Sequence, residues 1–291
     1  MQWTPGSLSP PPGAVGGGGV MCAVVHPGGG VGAPGAAVRG PGPDATLLLS
    51  GDPEGMPWGP RTPQDITARA LECARAAARH RPDALIVACN TASVHALEAL
   101  RAELEPGIPV IGTVPAIKPA AAAGRPFAIW ATPATTGSPY QRRLIADFAG
   151  GATATEVPCH GLADAVERAD RDAVDAAVTA AAALTPAGTA AVVLGCTHYE
   201  LVTGPIRERL AHLGPVPLYG SADAVAAQAL RRIGAAPAPD APATGALLVL
   251  AGGREAALPA AALAYPETCG LTGEPNRVGA SATRARAIRS S

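Results

Sequence analysis

Aromatic side chains are scarce in this chain: Trp, Tyr and Phe together make up 3% of its 291 residues. Any core must rest on Ala, Val, Leu and Ile, and a hydrophobic content of 48% is enough to build one. Excess charge is lacking too. With 22 Lys and Arg against 23 Asp and Glu, the net charge is -1, which argues against a broad nucleic-acid-binding face. Basic residues gather only loosely, in "TRARAIRSS" near the end. No run of about 18 apolar residues free of Gly and Pro offers a membrane span. The N-terminus has no basic segment followed by an apolar stretch, so it does not read as a secretory signal. The six cysteines (Cys22, Cys73, Cys89, Cys159, Cys196, Cys269) include no CxxC pair, so no zinc motif is present. The expectation is a cytoplasmic protein with reduced thiols, no metal, and neither a membrane nor a nucleic-acid partner.

Glycine and proline are plentiful by contrast, at 35 and 31. Residues 1–20, "MQWTPGSLSPPPGAVGGGGV", have the composition of a disordered extension, and the ordered chain is expected to begin at Met21. From there strands and helices alternate. "MCAVV" and "TLLLS" read as strands. "TPQDITARALECARAAARHRPD" reads as a helix capped by Thr62 with Pro63 at its first position. "ALIVA" is a strand, "SVHALEALRAEL" a helix and "PVIGTV" a strand. The strands are apolar throughout rather than alternating, the mark of a parallel sheet buried on both faces. The rhythm then restarts: "PFAIWA", a helix in "SPYQRRLIADFA", "ATEVP", one long helix in "DAVERADRDAVDAAVTAAAAL", "AAVVLG", a helix in "ELVTGPIRERLAHL", and "VPLYG". A further helix ("SADAVAAQALRRIG"), a linker ("PAPDAPATG") and a late strand ("ALLVLAGG") follow. This predicts an α/β protein of two similar domains, each a parallel sheet flanked by helices, with the active site in the cleft between them. Residues 21–115 with 221–265 form the first, 116–220 the second, and 266–291 a loose tail.

One stretch repeats in kind. "LIVACNTAS" runs a buried strand into Cys89 and then into Asn90, Thr91 and Ser93. The stretch "AVVLGCTHYE" does the same at Cys196, 107 residues later, with Thr197 and His198 behind it. In open parallel sheets, ligands bind outside the carboxyl ends of the strands. A helix start behind the strand suits a carboxylate and lowers a thiol's pKa. A cysteine at a strand end is also an ordinary small hydrophobe, but two matched strand–Cys–polar–helix units in two halves point to a cleft lined by two thiols.

These residues carry a resemblance. "GDPEGMPWGPRTPQDI", "VACNTAS", "PVIGTVPAIKPA" and "LGCTHYEL" resemble the motifs of glutamate racemases, within the aspartate/glutamate racemase superfamily, over about Met21 to Tyr265. The resemblance implies an amino-acid racemase that uses neither pyridoxal phosphate nor a metal, supplies D-glutamate for peptidoglycan, and can pair as a homodimer. It implies Cys89 and Cys196 as proton acceptor and donor on opposite faces of the substrate Cα, assisted by His198. Asn90, Thr91 and Thr197 match positions that bind the substrate's carboxylate and amino groups. Glu167 and Asp52 match supporting acids. Trp58 and Gly59 stand where the family has Tyr-Gly, and Thr132 and Thr135 lie in the matching turn of the second half. Two faces and two proton-transfer groups are also what inversion through a planar carbanion requires, and a thiol's pKa can be tuned to the working pH.

The first strand departs from the pattern. Where the family has Asp-Ser-Gly, this chain has His26 and Pro27, so an anionic partner for an ammonium group and a hydroxyl are both absent. Such a change leaves open a racemase for another amino or carboxylic acid, or a ligand-binding member of the fold with little turnover. Gly28, Gly30 and Ala33 also match a G-x-G-x-x-G/A dinucleotide fingerprint, with Asp44 or Asp52 as ribose partner. That fingerprint must open a helix, and "GAPGAAVRGPGP" is broken by Pro34, Gly35 and Gly40.

Overall fold

The computed structural model describes residues 20–28, 37, 44–238, 240–242 and 244–266. Residues 1–19 of the extension, Gly30 and Ala33 of the glycine fingerprint, and the tail beyond Pro266 lie outside the described residues. Two sheets stand side by side. The first contains β1 (Met21–His26), β2 (Thr46–Gly51), β3 (Ala84–Val87), β4 (Val110–Gly112), β9 (Leu247–Ala251) and β10 (Arg254–Glu255), in the order β10-β9-β2-β1-β3-β4. All of its pairings are parallel except that of β10 with β9, an antiparallel edge that the sequence reading did not anticipate. The second contains β5 (Phe127–Ala131), β6 (Ala154–Pro158), β7 (Val192–Leu194) and β8 (Leu218–Tyr219), in the order β6-β5-β7-β8 and fully parallel.

The apolar strands are buried as their lack of alternation predicts. Ala23 and Val25 of β1 face one cluster with Ile66, Ala70 and Leu100, while Cys22 and Val24 face another with Val225, Ala226 and Ala229. In the second sheet Trp130 and Leu194 face a helical layer containing Val174 and Val178, and Ile129 and Val193 face one containing Ile117 and Leu144. Among the described residues no helix is long and apolar enough to cross a membrane.

Helices fall close to their sequence signals where a cap is present. Thr62 accepts from the Asp65 amide and Pro63 opens α1 (Pro63–Ala78). The helix predicted from Ser93 instead begins at Asn90: Cys89 itself caps α2 (Asn90–His95), which breaks at Ala96 before α3 (Leu97–Leu104). A short α4 (Ile117–Ala121) covers the crossing to β5, and α5 (Pro139–Phe148) follows the Ser138 cap. The long helix expected over "DAVERADRDAVDAAVTAAAAL" is two, α6 (Leu162–Glu167) and α7 (Arg171–Leu184). The reason is local. Ala169 takes a left-handed φ of 52°, and Asp170 turns its carboxylate onto the Ala173 amide, starting a new helix. After β7, residues Thr197–Val202 wind as a tighter 3-10 turn before α8 (Thr203–Arg209). The late α9 (Ala222–Arg232) then packs back on the first sheet. Tyr265, expected at the start of a loose tail, donates its hydroxyl to the Val166 carbonyl at 2.6 Å.

Glu200 controls the return from the second sheet to the first. From the turn behind Cys196 its carboxylate accepts from Ser221 N at 2.8 Å, Ser221 Oγ at 3.0 Å and Ala222 N at 3.3 Å, at the start of α9. Burial raises its pKa, and the bonds from Ser221 and Ala222 oppose that rise. Glu200→Ala leaves those donors without an acceptor and is expected to cost about 3 kcal/mol, read as a lower urea midpoint at unchanged slope. An unchanged midpoint would show that water replaces the carboxylate.

Candidate active site

The two sheets repeat one arrangement: β2-β1-β3-β4 matches β6-β5-β7-β8 strand for strand. In each, the chain's direction of winding reverses between the first and third strand of the set, the position at which such sheets open a crevice at their carboxyl ends. Cys89 follows β3 and Cys196 follows β7, so each thiol sits at the equivalent crevice. Both are half-buried, whereas Cys22, Cys73 and Cys159 are buried in the core. Burial pushes the Cys22 and Cys73 thiols up to about 12, and Cys159 is raised by the same cause.

The two cysteine loops bond to each other. Asn90 Nδ2 donates to the Gly195 carbonyl at 2.5 Å, and Thr197 Oγ1 donates to the Ala88 carbonyl at 3.1 Å. The residue after each cysteine thus holds the residue before the other. Gly195 is needed here, because a Cβ on it would stand 2.9 Å from the Trp130 carbonyl oxygen. These bonds draw on two side chains that the resemblance assigned to substrate. Thr197 is 2% exposed with its hydroxyl committed, while Asn90 keeps a buried Oδ1 without a partner.

The thiols differ in their surroundings. Burial raises the Cys89 pKa to about 11, against the pull of the Ala92 amide, which donates to Sγ at 3.4 Å. The charge of Cys196 adds to that rise, so the two sulfurs feel each other. Cys196 Sγ lies 3.6 Å from His198 Nδ1, and His198 Nε2 lies 3.0 Å from Glu167 Oε2. Burial works against a charged His198, but its bonds to Cys196 and Glu167 prevail and raise it to about 10. The result is a Cys–His–Glu relay behind one thiol and none behind the other. Glu167 reaches this position from the end of α6 by passing over Gly28, where a Cβ would come within 2.1 Å of its carboxylate.

His26 ends β1 with 3% exposure, its ring centroid 4.8 Å from that of His198. Its Nδ1 accepts from the Gly28 amide at 3.1 Å, which puts the proton on Nε2, and Nε2 has no partner among the described residues. Burial, with the neighbouring His198, lowers its pKa to about 4. A cavity of about 60 Å³ opens beside it at the ends of β1, β2 and β9. That is room for several waters, and neither Cys89 nor Cys196 lines it.

The other sequence candidates divide. Thr132 and Thr135 pair hydroxyls at 3.2 Å in the turn after β5, and Gly59 approaches that turn, with Ala134 Cβ 3.7 Å from where its own Cβ would be. Thr91 is half-buried beside Cys89. Asp52 is taken up locally: its carboxylate accepts from the Gly55 amide at 3.0 Å, Trp58 Nε1 at 3.1 Å and Arg69 at 2.9 Å. Trp58 is itself core, 2% exposed. Sequence reasoning missed the Asn90–Gly195 and Thr197–Ala88 bonds, whose only signal was the placing of a hydrogen-bonding residue directly after each cysteine.

Two sheets of matched strand order, each running into a cysteine, with a His–Glu pair behind one of them, define a two-lobed protein of the α/β class. The chain belongs to the Asp/Glu/Hydantoin racemase family, whose model matches residues 35–229. It is 36% identical over 170 residues to the glutamate racemase of Roseiflexus sp.. That match covers 57% of this chain and 62% of the Roseiflexus protein, so the chain spans under two thirds of that relative's length. It is 38% identical over 200 residues to the glutamate racemase of Granulibacter bethesdensis, covering 65% of this chain and 70% of that one. Among solved structures, Escherichia coli glutamate racemase in complex with L-glutamate and an activator matches with a TM-score of 0.67 at 26% identity, over 84% of this chain and 92% of that one.

The titration of His26 has a sign that can be checked. Its folded pKa of about 4 lies below its ordinary value near 6.5. Between the two the unfolded chain holds the extra proton, so stability falls as pH falls, by up to about 3 kcal/mol at the lower end. His198 acts oppositely: its contribution is complete below about pH 6.5 and is lost as pH rises toward about 10. Melting temperatures between pH 6.5 and 5 are expected to fall more steeply in the native chain than in His26→Asn. Equal slopes would mean that His26 is not held neutral.

Proposed function

We propose that the chain is a cofactor-independent amino-acid racemase that interconverts L- and D-glutamate by two-thiol proton transfer at Cα, supplying D-glutamate for peptidoglycan in the cytoplasm. The observation that supports this reading is the reciprocal bonding of the two cysteine loops, which joins the chain beside Cys89 to the chain beside Cys196. The named activity of the relatives supports it.

In this reading a thiolate takes the Cα proton. The C–H bond breaks, an S–H bond forms, and the electron pair stays on the substrate, spread into its carboxylate. The opposite thiol then gives its proton to the other face. Cys196, paired with His198 and Glu167, is the resting acceptor. Cys89, held protonated by burial, is the resting donor. The buried Oδ1 of Asn90 is the acceptor available to an ammonium group, and the hydroxyls of Thr91 and Thr135 serve the carboxylates. Cys89→Ala and Cys196→Ala are each expected to lower racemisation about 1000-fold or more, followed as optical rotation and as deuterium incorporation at Cα in heavy water. Cys22→Ala and Cys73→Ala should stay near the native rate. Near-native turnover in Cys89→Ala would end the two-thiol reading.

A second reading has its own observation. His26 offers a donor where an ammonium needs an acceptor, which favours slow turnover of glutamate or another amino or carboxylic acid as substrate. His26→Asp with Pro27→Ser should raise kcat/KM for glutamate, tenfold for about each 1.4 kcal/mol of transition-state binding regained. A folded double variant that is slower than the native chain would make His26 a working replacement.

A further inference from the structure

Behind the Cys196–His198 contact, three side chains from three elements converge. One ring nitrogen each of His26 and His198 and one carboxylate oxygen of Glu167 all lie within 4.8 Å of one another. His26 comes from the end of β1, Glu167 from the end of α6 and His198 from the turn after β7. The cluster is buried: His26 is 3% and His198 5% exposed. Its unbalanced member is His26 Nε2, buried and without a partner among the described residues. As Nε2–H it is an unmet donor, and in the other tautomer the same nitrogen presents a lone pair to a cation.

We propose that His26, His198 and Glu167 form a binding site for a zinc-type divalent cation, and that the ion inhibits the chemistry of the neighbouring thiol. Two imidazoles and one carboxylate are the donor set of three-ligand zinc sites, which leave a fourth position open. Imidazole nitrogens select such ions over magnesium and calcium. Bonds of about 2.0–2.2 Å place tetrahedral donors roughly 3.3–3.5 Å apart. His198 Nε2 and Glu167 Oε2 already stand 3.0 Å apart. The donor atoms, now up to 4.8 Å apart, must close by as much as roughly 1.5 Å on binding, and the Glu167 side chain, 19% exposed at the last residue of its helix, can rotate to follow the ion. The carboxylate supplies the negative charge that a buried dication needs. The ion takes the place of the proton on His26 Nε2. That proton, the single N–H proton of the neutral ring, moves to Nδ1, and the Gly28 amide turns away. On His198 the ion displaces the Nε2 proton to solvent and leaves Nδ1–H toward Cys196. The ion therefore holds Glu167 and withdraws it from the relay. It is no participant in proton transfer at Cα.

The test uses cobalt(II) as the probe on the intact chain, followed by its visible spectrum and by competition with zinc. The expected result is one equivalent bound, with cobalt d–d bands and no thiolate charge-transfer band. Affinity should fall about tenfold or more in His26→Asn and in Glu167→Gln, and remain in Cys196→Ala. Racemisation should be lost on loading and return with a chelator. Melting curves check that each variant folds, and Glu167→Gln, which keeps the side-chain shape, stands in if His26→Asn does not. A thiolate band, equal affinity in the folded variants, or no retained cobalt at micromolar concentration overturns the proposal. Because binding is read directly, its failure leaves the racemase reading to the cysteine variants.

Discussion

Two hydrogen bonds between the lobes hold the site together. Asn90 reaches the carbonyl before Cys196, and Thr197 reaches the carbonyl before Cys89. Each joins a side chain behind one thiol to backbone beside the other, so neither sulfur can move without pulling on its counterpart's strand. Buried bonds of this type are individually worth about 1 kcal/mol, but leaving either partner unmet costs more. The matched strand orders make the exchange reciprocal: equivalent corners of two equivalent sheets meet face to face.

The symmetry stops at the side chains. Cys89 has amide donors and burial around it, and remains a thiol. Cys196 has an imidazole against it and a carboxylate behind that imidazole. Unlike surroundings of this kind are what the proposed reaction would use, with one face giving a proton and the other taking it. The backbone supplies like positions, and a few residues on α6 and in the turn after β7 make them unlike.

Much of this was legible in the sequence, and what was not has a common cause. The apolar strands, the Thr62-Pro63 cap and the two strand–cysteine units are local signals, and the structure has strands and helix at those places. The break at Ala169 was missed because composition favours helix throughout "DAVERADRDAVDAAVTAAAAL"; the Asp170 cap competes with that propensity and wins. The site's residue types were visible, but their partners were not. Nothing within "GDPEG" says that Arg69, 17 residues on, will take up the Asp52 carboxylate, and nothing within "VACNTAS" says that Asn90 will bond a carbonyl 105 residues away. Long-range pairing is set by how the sheets meet, which no window of sequence contains.

His26 shows the same limit from the other side. Read in sequence, it is a lost anion at the end of β1. In three dimensions the negative charge near that corner comes from Glu167 on the opposite lobe, admitted by the missing side chain of Gly28. The charge has a second duty there, since it also supports His198 and through it Cys196. Any cation that enters the corner, whether a substrate's ammonium or a metal ion, competes with His198 for one carboxylate. Binding of positive charge and the support of His198 are thereby linked through Glu167. With an aspartate at position 26 the two duties would fall to separate residues, and that link would be broken.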